Sequence, residues 1–294
     1  MTGFVPALGT PLDKNGNLLV DSYKKQIEDQ IQAGAAGILC MGSMGIQPYL
    51  KTDVYPQVAK AAVEAAAGRV PVYVGAMDTS IARAKDRMAA MEDLDIDGFV
   101  FTTPYYYGCN RAQMMNYFKG VAAATKKQIL LYDLAVVTQS KITYDMVLEL
   151  IRDVPNLAGI KSADTVMFRN LKLNPDVPKD FIMVYSGLDT FDVAYKWGID
   201  ACLDGMLSCT PYNTGKLFEV MAAGDFEAAA KYLNNIVGLR DFFVAHDLWP
   251  SFSTAMNLLG YEGNFCPDYA CDINPDFIPL IREELVKMGE PVVC

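Results

Sequence analysis

Eight short apolar segments, each followed by a stretch with helical periodicity, recur at intervals of roughly 20 to 35 residues along the chain. Their near-continuous hydrophobicity is typical of strands that are covered on both faces, as in a parallel sheet with helices outside. Eight such units predict a closed (β/α)8 TIM barrel rather than an open doubly wound sheet. The first unit also lacks the GxGxxG motif of a dinucleotide-binding fold. The predicted strands are 4–8, 37–41, 70–75, 98–103, 128–133, 157–161, 181–186 and 201–207.

The pattern changes after the eighth predicted strand, where only helical stretches follow. They cover 215–223, 225–246, 251–259 and 274–288, and they are separated by Gly224, Pro250 and the loop 263–267. We therefore expect the barrel to carry a C-terminal helical appendage. We assign 1–224 to the barrel, as the catalytic domain, and 225–294 to a C-terminal helical subdomain.

Charge and composition exclude several classes of protein. The net charge is −10 and no stripe of lysine and arginine is present, so a nucleic-acid partner is not expected. No apolar run approaches the ~18 residues of a membrane span, and no basic and hydrophobic leader opens the sequence. The chain has seven cysteines and no CxxC pair, which favours reduced thiols over a disulfide framework. We expect a cytoplasmic protein that does not bind membranes.

One cation closes a buried segment, since Lys161 ends the apolar run 157–160. Lysine at the mouth of a barrel loses hydration of its ammonium form, which favours the neutral amine that attacks ketone carbonyls. This predicts Schiff-base chemistry. The alternative from this segment alone is a lysine that reaches solvent or pairs with a carboxylate such as Asp164.

Other candidate residues lie where the predicted strands end, because the carboxyl ends of barrel strands build the site. The turn 42–45 (GSMG) can present backbone N–H groups to a carboxylate, or can be a tight turn without a ligand. Tyr132, on the strand next to that of Lys161, can move protons during imine formation, or can pack at the rim of the core. The only histidine, His246, lies in a late helix, so neither a metal site nor a histidine triad is expected.

Several short motifs, in order and spacing, resemble those of the dihydrodipicolinate synthase and N-acetylneuraminate lyase family of class I pyruvate aldolases. The likeness runs essentially from end to end. The matching segments are 9–12 (GTPL, where the family has GTPF or GTPL), 42–45 (GSMG for GSTG or GTTG), 103–106 (TPYY), 132–133 (YD for YN), 159–161 (GIK) and 186–189 (SGLD for GDD or GYD).

The resemblance implies a role for each matching residue. Lys161 would form an imine with pyruvate or another 2-oxo acid, and Tyr132 would shuttle protons. Ser43 would relay protons between Tyr132 and Tyr106, and the amides of Ser43 and Met44 would hold the substrate carboxylate. The tyrosine that matches Tyr106 comes from the neighbouring subunit in relatives, which implies a homodimer or a homotetramer. No metal and no cofactor beyond the lysine imine is expected.

The sequence departs from the family pattern at several of these positions. Val137 stands where the synthase has an arginine for a second carboxylate, which disfavours a genuine synthase. Met44 replaces a hydroxyl-bearing residue, Ile46 a glutamate, and Asp133 and Ala135 an asparagine and a proline. We therefore expect a remodelled site.

Positive clues to the distal part of the substrate are few. Asp189 and Thr190 match positions that contact the polyol tail in the sialic-acid lyase, and Leu203, Asp204 and Gly205 lie at the end of the eighth predicted strand. Two acids and a threonine suit hydroxyl groups better than a second carboxylate. The alternative for Asp189 is an N-cap of the following helix.

These observations favour a carbon–carbon lyase, a Schiff-base aldolase that acts on a pyruvate-derived hydroxylated 2-oxo acid, with pyruvate and an aldehyde as small-molecule partners. One alternative is a 2-keto-3-deoxy sugar acid dehydratase or a divergent dihydrodipicolinate synthase, which would use the same imine. A further alternative is a barrel that binds 2-oxo acids without catalysis, because fold alone does not decide function.

Overall fold

The computed structural model describes residues 1–293. Eight parallel strands follow one another in the order β1-β8-β7-β6-β5-β4-β3-β2, and an isolated bridge between Ala7 and Leu39 joins the two outer strands. The predicted (β/α)8 TIM barrel with C-terminal helices is therefore confirmed. The strands are β1 (Gly3–Pro6), β2 (Ile38–Cys40), β3 (Val72–Gly75), β4 (Gly98–Thr102), β5 (Gln128–Tyr132), β6 (Leu157–Ser162), β7 (Ile182–Tyr185) and β8 (Ala201–Asp204).

The eighth strand differs most from its prediction, which extended to residue 207. Strand β8 ends at Asp204, and the chain continues through Gly205 into a 3-10 turn, Met206–Cys209. The Ser208 hydroxyl donates a hydrogen bond to the Gly205 carbonyl at 2.6 Å and so stabilises this turn. Because the turn residues are fully buried, their hydrophobicity does not distinguish a strand from a buried turn.

Twelve helices cover the described part of the chain, and those of the barrel pack an apolar face on the strands. Helix α6, for example, buries Met146, Val147 and Leu150 at helical spacing. The helices are α1 (Val20–Gln32), α2 (Val54–Ala66), α3 (Ile81–Ala89), α4 (Arg111–Ala122), α5 (Ala135–Thr138), α6 (Tyr144–Asp153), α7 (Thr165–Leu173), α8 (Phe191–Lys196), α9 (Pro211–Ala222), α10 (Phe226–Ala245), α11 (Leu248–Leu258) and α12 (Phe277–Lys287).

The C-terminal helices form as expected but begin at other residues. Pro211 opens α9, and Pro250 lies in the first turn of α11 rather than before it, because a first-turn proline lacks only an N–H that would be unpaired. Asp225 caps α10 by accepting a hydrogen bond from the Ala228 amide at 3.0 Å. The hydrophobic core runs from the strands into α10 and α11 without a break. The boundary between 1–224 and 225–294 stays a prediction.

Among residues 1–293, no helix combines the length and the apolar character that crossing a bilayer requires.

Candidate active site at the carboxyl ends of the strands

Lys161 and Tyr132 lie side by side at the mouth of the barrel. They are register partners on β6 and β5, so their Cα atoms are at the same height. Lys161 is only 4 % exposed, and its Nζ lies 3.9 Å from the centroid of the Tyr132 ring. Within residues 1–293, no carboxylate oxygen lies within 4.0 Å of this Nζ. The lysine is therefore buried beside a phenol rather than held in an ion pair.

Asp164, the alternative partner of Lys161, makes other contacts. Its carboxylate caps α7 by accepting a hydrogen bond from the Met167 amide at 2.8 Å. It also forms an ion pair with Lys141, with an N–O distance of 3.1 Å. The pairing of Lys161 with Asp164 does not form.

The Tyr132 hydroxyl has a polar neighbour on the other side of the barrel mouth. It lies 3.3 Å from the Ser43 hydroxyl, and either group can donate the hydrogen bond. Tyr132 is buried, whereas Ser43 is half-buried at the edge of a cavity. This hydrogen bond joins the side chain beside Lys161 to the edge of that cavity.

The loop 42–45 takes its shape from residues just outside it. Met41 and Ile46 have left-handed φ values of 53° and 48°, whereas neither Gly42 nor Gly45 has a positive φ. Gly45 is required for another reason, because a Cβ there would come within 2.9 Å of the Leu8 carbonyl oxygen. Among the described residues, the Ser43 and Met44 amides donate to no protein acceptor. Two N–H groups are thus free to bind an anion.

The Met44 side chain packs against the end of β8. A Cβ built on Gly205 would lie 2.8 Å from the Met44 Cβ and 3.0 Å from its Cε. The predicted residues Met44 and Gly205 therefore touch, and the thioether fills space next to the loop 42–45. Any larger residue at position 205 would have to displace it.

Asp133 joins β5, β6 and the following loop. Its carboxylate binds the ammonium of Lys141, accepts from the Ser162 hydroxyl at 2.8 Å and accepts from the Ile142 amide at 3.2 Å. Burial opposes the charged form of Lys141, but the hydrogen bonds with Asp133 and Asp164 outweigh it and raise the pKa of that lysine. Sequence reasoning missed Lys141, because it lies in a loop between elements and belongs to no motif.

Asp204 lies at the end of β8 and faces the same cavity as Lys161. This cavity has a volume of about 430 Å³, and Ser186, Asp133 and Asp164 also line it. Burial raises the pKa of the Asp204 carboxyl, and the nearby charge of Lys161 opposes this rise. The structure brings Asp204 together with Lys161 and Tyr132.

Three other predicted contacts lie elsewhere. Asp189 forms a two-point ion pair with Arg240, at 2.7 and 2.8 Å, and its side chain is exposed. It is not an N-cap either, because Thr190 occupies that position before α8. The Thr190 hydroxyl hydrogen-bonds to the Tyr185 hydroxyl at 2.6 Å. Leu203 alternates with Asp204 along β8 and its side chain is buried away from the lysine cavity.

Tyr106 is on the surface of the single chain. It is 79 % exposed, has a left-handed φ of 93°, and its ring contacts that of Tyr107 edge to face. A separate cavity of about 510 Å³ opens beside Ser43, with Tyr105, Val137 and Trp249 among its walls. Among the residues that the structure describes, no contact brings the exposed Tyr106 ring into a buried site.

Residues 1–293 contain no group of three or more histidine, cysteine, aspartate or glutamate side chains arranged to hold a metal ion. The site consists of a lysine, hydroxyls, carboxylates and backbone amides, which suits acid–base and imine chemistry.

A barrel with a buried lysine beside a phenol at the carboxyl ends of its strands defines the class of Schiff-base lyases. The family model described as the dihydrodipicolinate synthetase family matches residues 1–267, and the chain belongs to that family. Enzymes of this family are class I aldolases that use a lysine Schiff base with pyruvate and no external cofactor. The predicted family and enzyme class are confirmed.

Individual relatives are distant. The chain is 31% identical over 243 residues to 4-hydroxy-tetrahydrodipicolinate synthase of Pseudoalteromonas atlantica, covering 81% of each protein. It is 29% identical over 245 residues to the synthase of Laribacter hongkongensis, covering 83% of this chain and 84% of the relative. In structure it is similar to Proteus mirabilis N-acetylneuraminate lyase, with a TM-score of 0.89, 16% identity and 99% of each chain covered. The E. coli K12 prophage protein YagE in complex with pyruvate has a TM-score of 0.87 at 21% identity, with 99% of each chain covered.

Proposed function

We propose that this chain catalyses the reversible cleavage of a 4-hydroxy-2-oxo acid to pyruvate and an aldehyde through an imine on Lys161. The observation that carries the proposal is a lysine that is 4 % exposed, lies 3.9 Å from the Tyr132 ring and has no carboxylate partner within 4.0 Å among residues 1–293. An amine in this setting can attack a carbonyl, and the phenol beside it can act as an acid or a base.

Lys161 forms the covalent intermediate, and Tyr132 assists by transferring protons. The amine of Lys161 adds to the C2 ketone, and Tyr132 protonates the carbinolamine oxygen so that water leaves. Tyr132, now deprotonated, takes the proton of the C4 hydroxyl as the C3–C4 bond breaks, and the electron pair of that bond moves to the iminium nitrogen to give an enamine and a free aldehyde. Tyr132 returns this proton to C3 of the enamine, and water hydrolyses the resulting imine to pyruvate and the lysine amine.

The loop 42–45 supports pyruvate as the 2-oxo acid that binds Lys161. The unpaired amides of Ser43 and Met44 point to a carboxylate ligand, and Thr10 steadies the loop by donating to the Gly45 carbonyl at 2.8 Å. YagE, which shares the fold, binds pyruvate. Together these observations favour a 2-oxo acid over other carbonyl compounds.

A panel of 2-keto-3-deoxy acids tests the proposal. We expect pyruvate and the matching aldehyde to appear in equal amounts, and the yield to be the same in the presence of a chelator. A dehydrated oxo acid in place of pyruvate would instead identify a dehydratase. Absence of any turnover, together with retained binding of pyruvate, would identify a non-catalytic barrel.

We further propose that Tyr106 acts in the site of a second copy of the chain. Its exposure, and the cavity beside Ser43 with apolar and aromatic walls, support this arrangement, because an incoming phenol would meet the Ser43 hydroxyl there. The functional unit would then be a homodimer, or a homotetramer of two such dimers. The site would be incomplete in a monomer.

Mixed oligomers test whether Tyr106 acts across an interface. Tyr106→Phe and Lys161→Met chains, each nearly inactive alone, are co-expressed with different tags and purified through both. Mixed dimers would contain one site with a native lysine and a native tyrosine, so we expect activity several-fold above the sum of the two parents. Activity no higher than that sum would place Tyr106 within its own subunit or outside the site.

A further inference from the structure

We propose, resting on the aldolase function above, that the second substrate is an uncharged aldehyde and that Asp204 determines this selectivity. The claim concerns the distal half of the lysine cavity, beyond the carbon that forms the imine. It follows from the charges that line this cavity and from the hydrogen-bonding capacity that Asp204 keeps.

The cations around the cavity are already engaged. Its walls contain two cations, Lys161 and Lys141. Lys161 becomes the imine, whose positive charge faces the carboxylate of pyruvate. Lys141 is bound by both Asp133 and Asp164, so two negative charges surround one positive charge. Within residues 1–293, the cavity walls offer no free cation to a second carboxylate.

Asp204 adds a further carboxyl group to the same wall. One oxygen accepts a hydrogen bond from the Met206 amide at 2.9 Å, and the Gly205 amide stabilises the carboxylate more weakly. Because Asp204 is half-buried and lines the cavity, its carboxyl group can also form a hydrogen bond with a substrate hydroxyl. A carboxylate brought to the same place would meet a like charge in a poorly solvated site.

Burial raises the pKa of the Asp204 carboxyl, while nearby positive charge acts in the opposite direction. The positive charge of Lys161 opposes the rise. The cationic iminium that precedes and follows the enamine carries its positive charge at the same position and opposes the rise in the same way. Position 137, which carries an exposed valine, supplies no compensating charge either.

A size-matched pair of aldehydes provides the test. Glyceraldehyde and tartronate semialdehyde have the same three-carbon skeleton and differ in a terminal hydroxymethyl or carboxylate group. In aldol addition to pyruvate, we expect kcat/KM for glyceraldehyde to exceed that for tartronate semialdehyde by at least about thirtyfold, because the like charges repel. Equal or better use of the anionic aldehyde by the native enzyme would overturn the proposal.

A substitution assigns the effect to Asp204. Asp204→Asn keeps the acceptor for the Met206 amide and removes the charge, so we expect the preference to fall by about tenfold. Asp153→Asn is the matched control, because this exposed carboxylate at the end of α6 pairs with Lys119, away from the cavity. An unchanged preference in Asp204→Asn, and in Asp204→Ser if the first variant does not fold, would refute the role of Asp204.

Borohydride trapping of pyruvate on the native enzyme separates this claim from the function on which it rests. A trapped adduct with no preference between the two aldehydes refutes only the selectivity. Absence of an adduct refutes the aldolase function itself.

Discussion

Replacement of Lys161 with methionine lowers kcat for cleavage of a 4-hydroxy-2-oxo acid by at least about a thousandfold, because no other amine in the cavity can form the imine. Methionine has nearly the same length and no charge, so it fills the space left by a side chain that is only 4 % exposed. Lys141 cannot substitute, since Asp133 and Asp164 both bind its ammonium group. Steady-state kinetics measures the loss.

The control for this variant is Lys60→Met, which changes an exposed lysine on α2. We expect Lys60→Met to retain native kcat, and circular dichroism and thermal melting to show that both variants fold. If folded Lys161→Met kept more than about a tenth of native turnover, the imine would have to form elsewhere and the assignment would be wrong.

Replacement of Tyr132 with phenylalanine lowers kcat by about 10²–10⁴-fold, the usual contribution of a positioned acid–base group. The hydroxyl is the only part that is lost, and with it the 3.3 Å contact to Ser43. The ring that lies beside Lys161 remains, so the pocket keeps its shape. Slower formation of the pyruvate adduct, with the final amount of adduct unchanged, is the signature of a lost proton shuttle.

Tyr73→Phe is a matched control for Tyr132→Phe. Tyr73 is a buried tyrosine on β3, but its hydroxyl donates to Gln128 at the opposite, amino-terminal end of β5. We expect this variant to retain kcat within about threefold, since no reacting atom is near. A similar loss in both variants would mean that tyrosine hydroxyls stabilise the barrel and that Tyr132 has no role in proton transfer.

Much of the fold could be predicted from the sequence because a parallel barrel has a simple pattern. Each buried strand is a continuous apolar run, and strands that follow one another along the chain are neighbours in space. The same rule placed Tyr132 next to Lys161, which the register of β5 and β6 confirms. The predicted end of β8 was wrong because Met206 and Leu207 are as buried in a 3-10 turn as they would be in a strand.

The ion pairs of Asp189 and Lys141 could not be predicted from the sequence, for a different reason. The ion pair of Asp189 with Arg240 joins residues that are 51 positions apart, and the contact of Lys141 with Asp164 depends on the path of a loop. Side chains such as these have no periodic pattern, so their partners are known only when the loops are placed. Tyr106 is a harder case, because its proposed partner belongs to a second chain.

The most direct test of the central claim is reductive trapping of the native enzyme. The protein is incubated with pyruvate and borohydride, digested, and analysed by peptide mass spectrometry. We predict one stable adduct, on the peptide that contains Lys161, which depends on pyruvate and is absent from Lys161→Met. A protein that stays unmodified, or an adduct on any other lysine, would contradict the account.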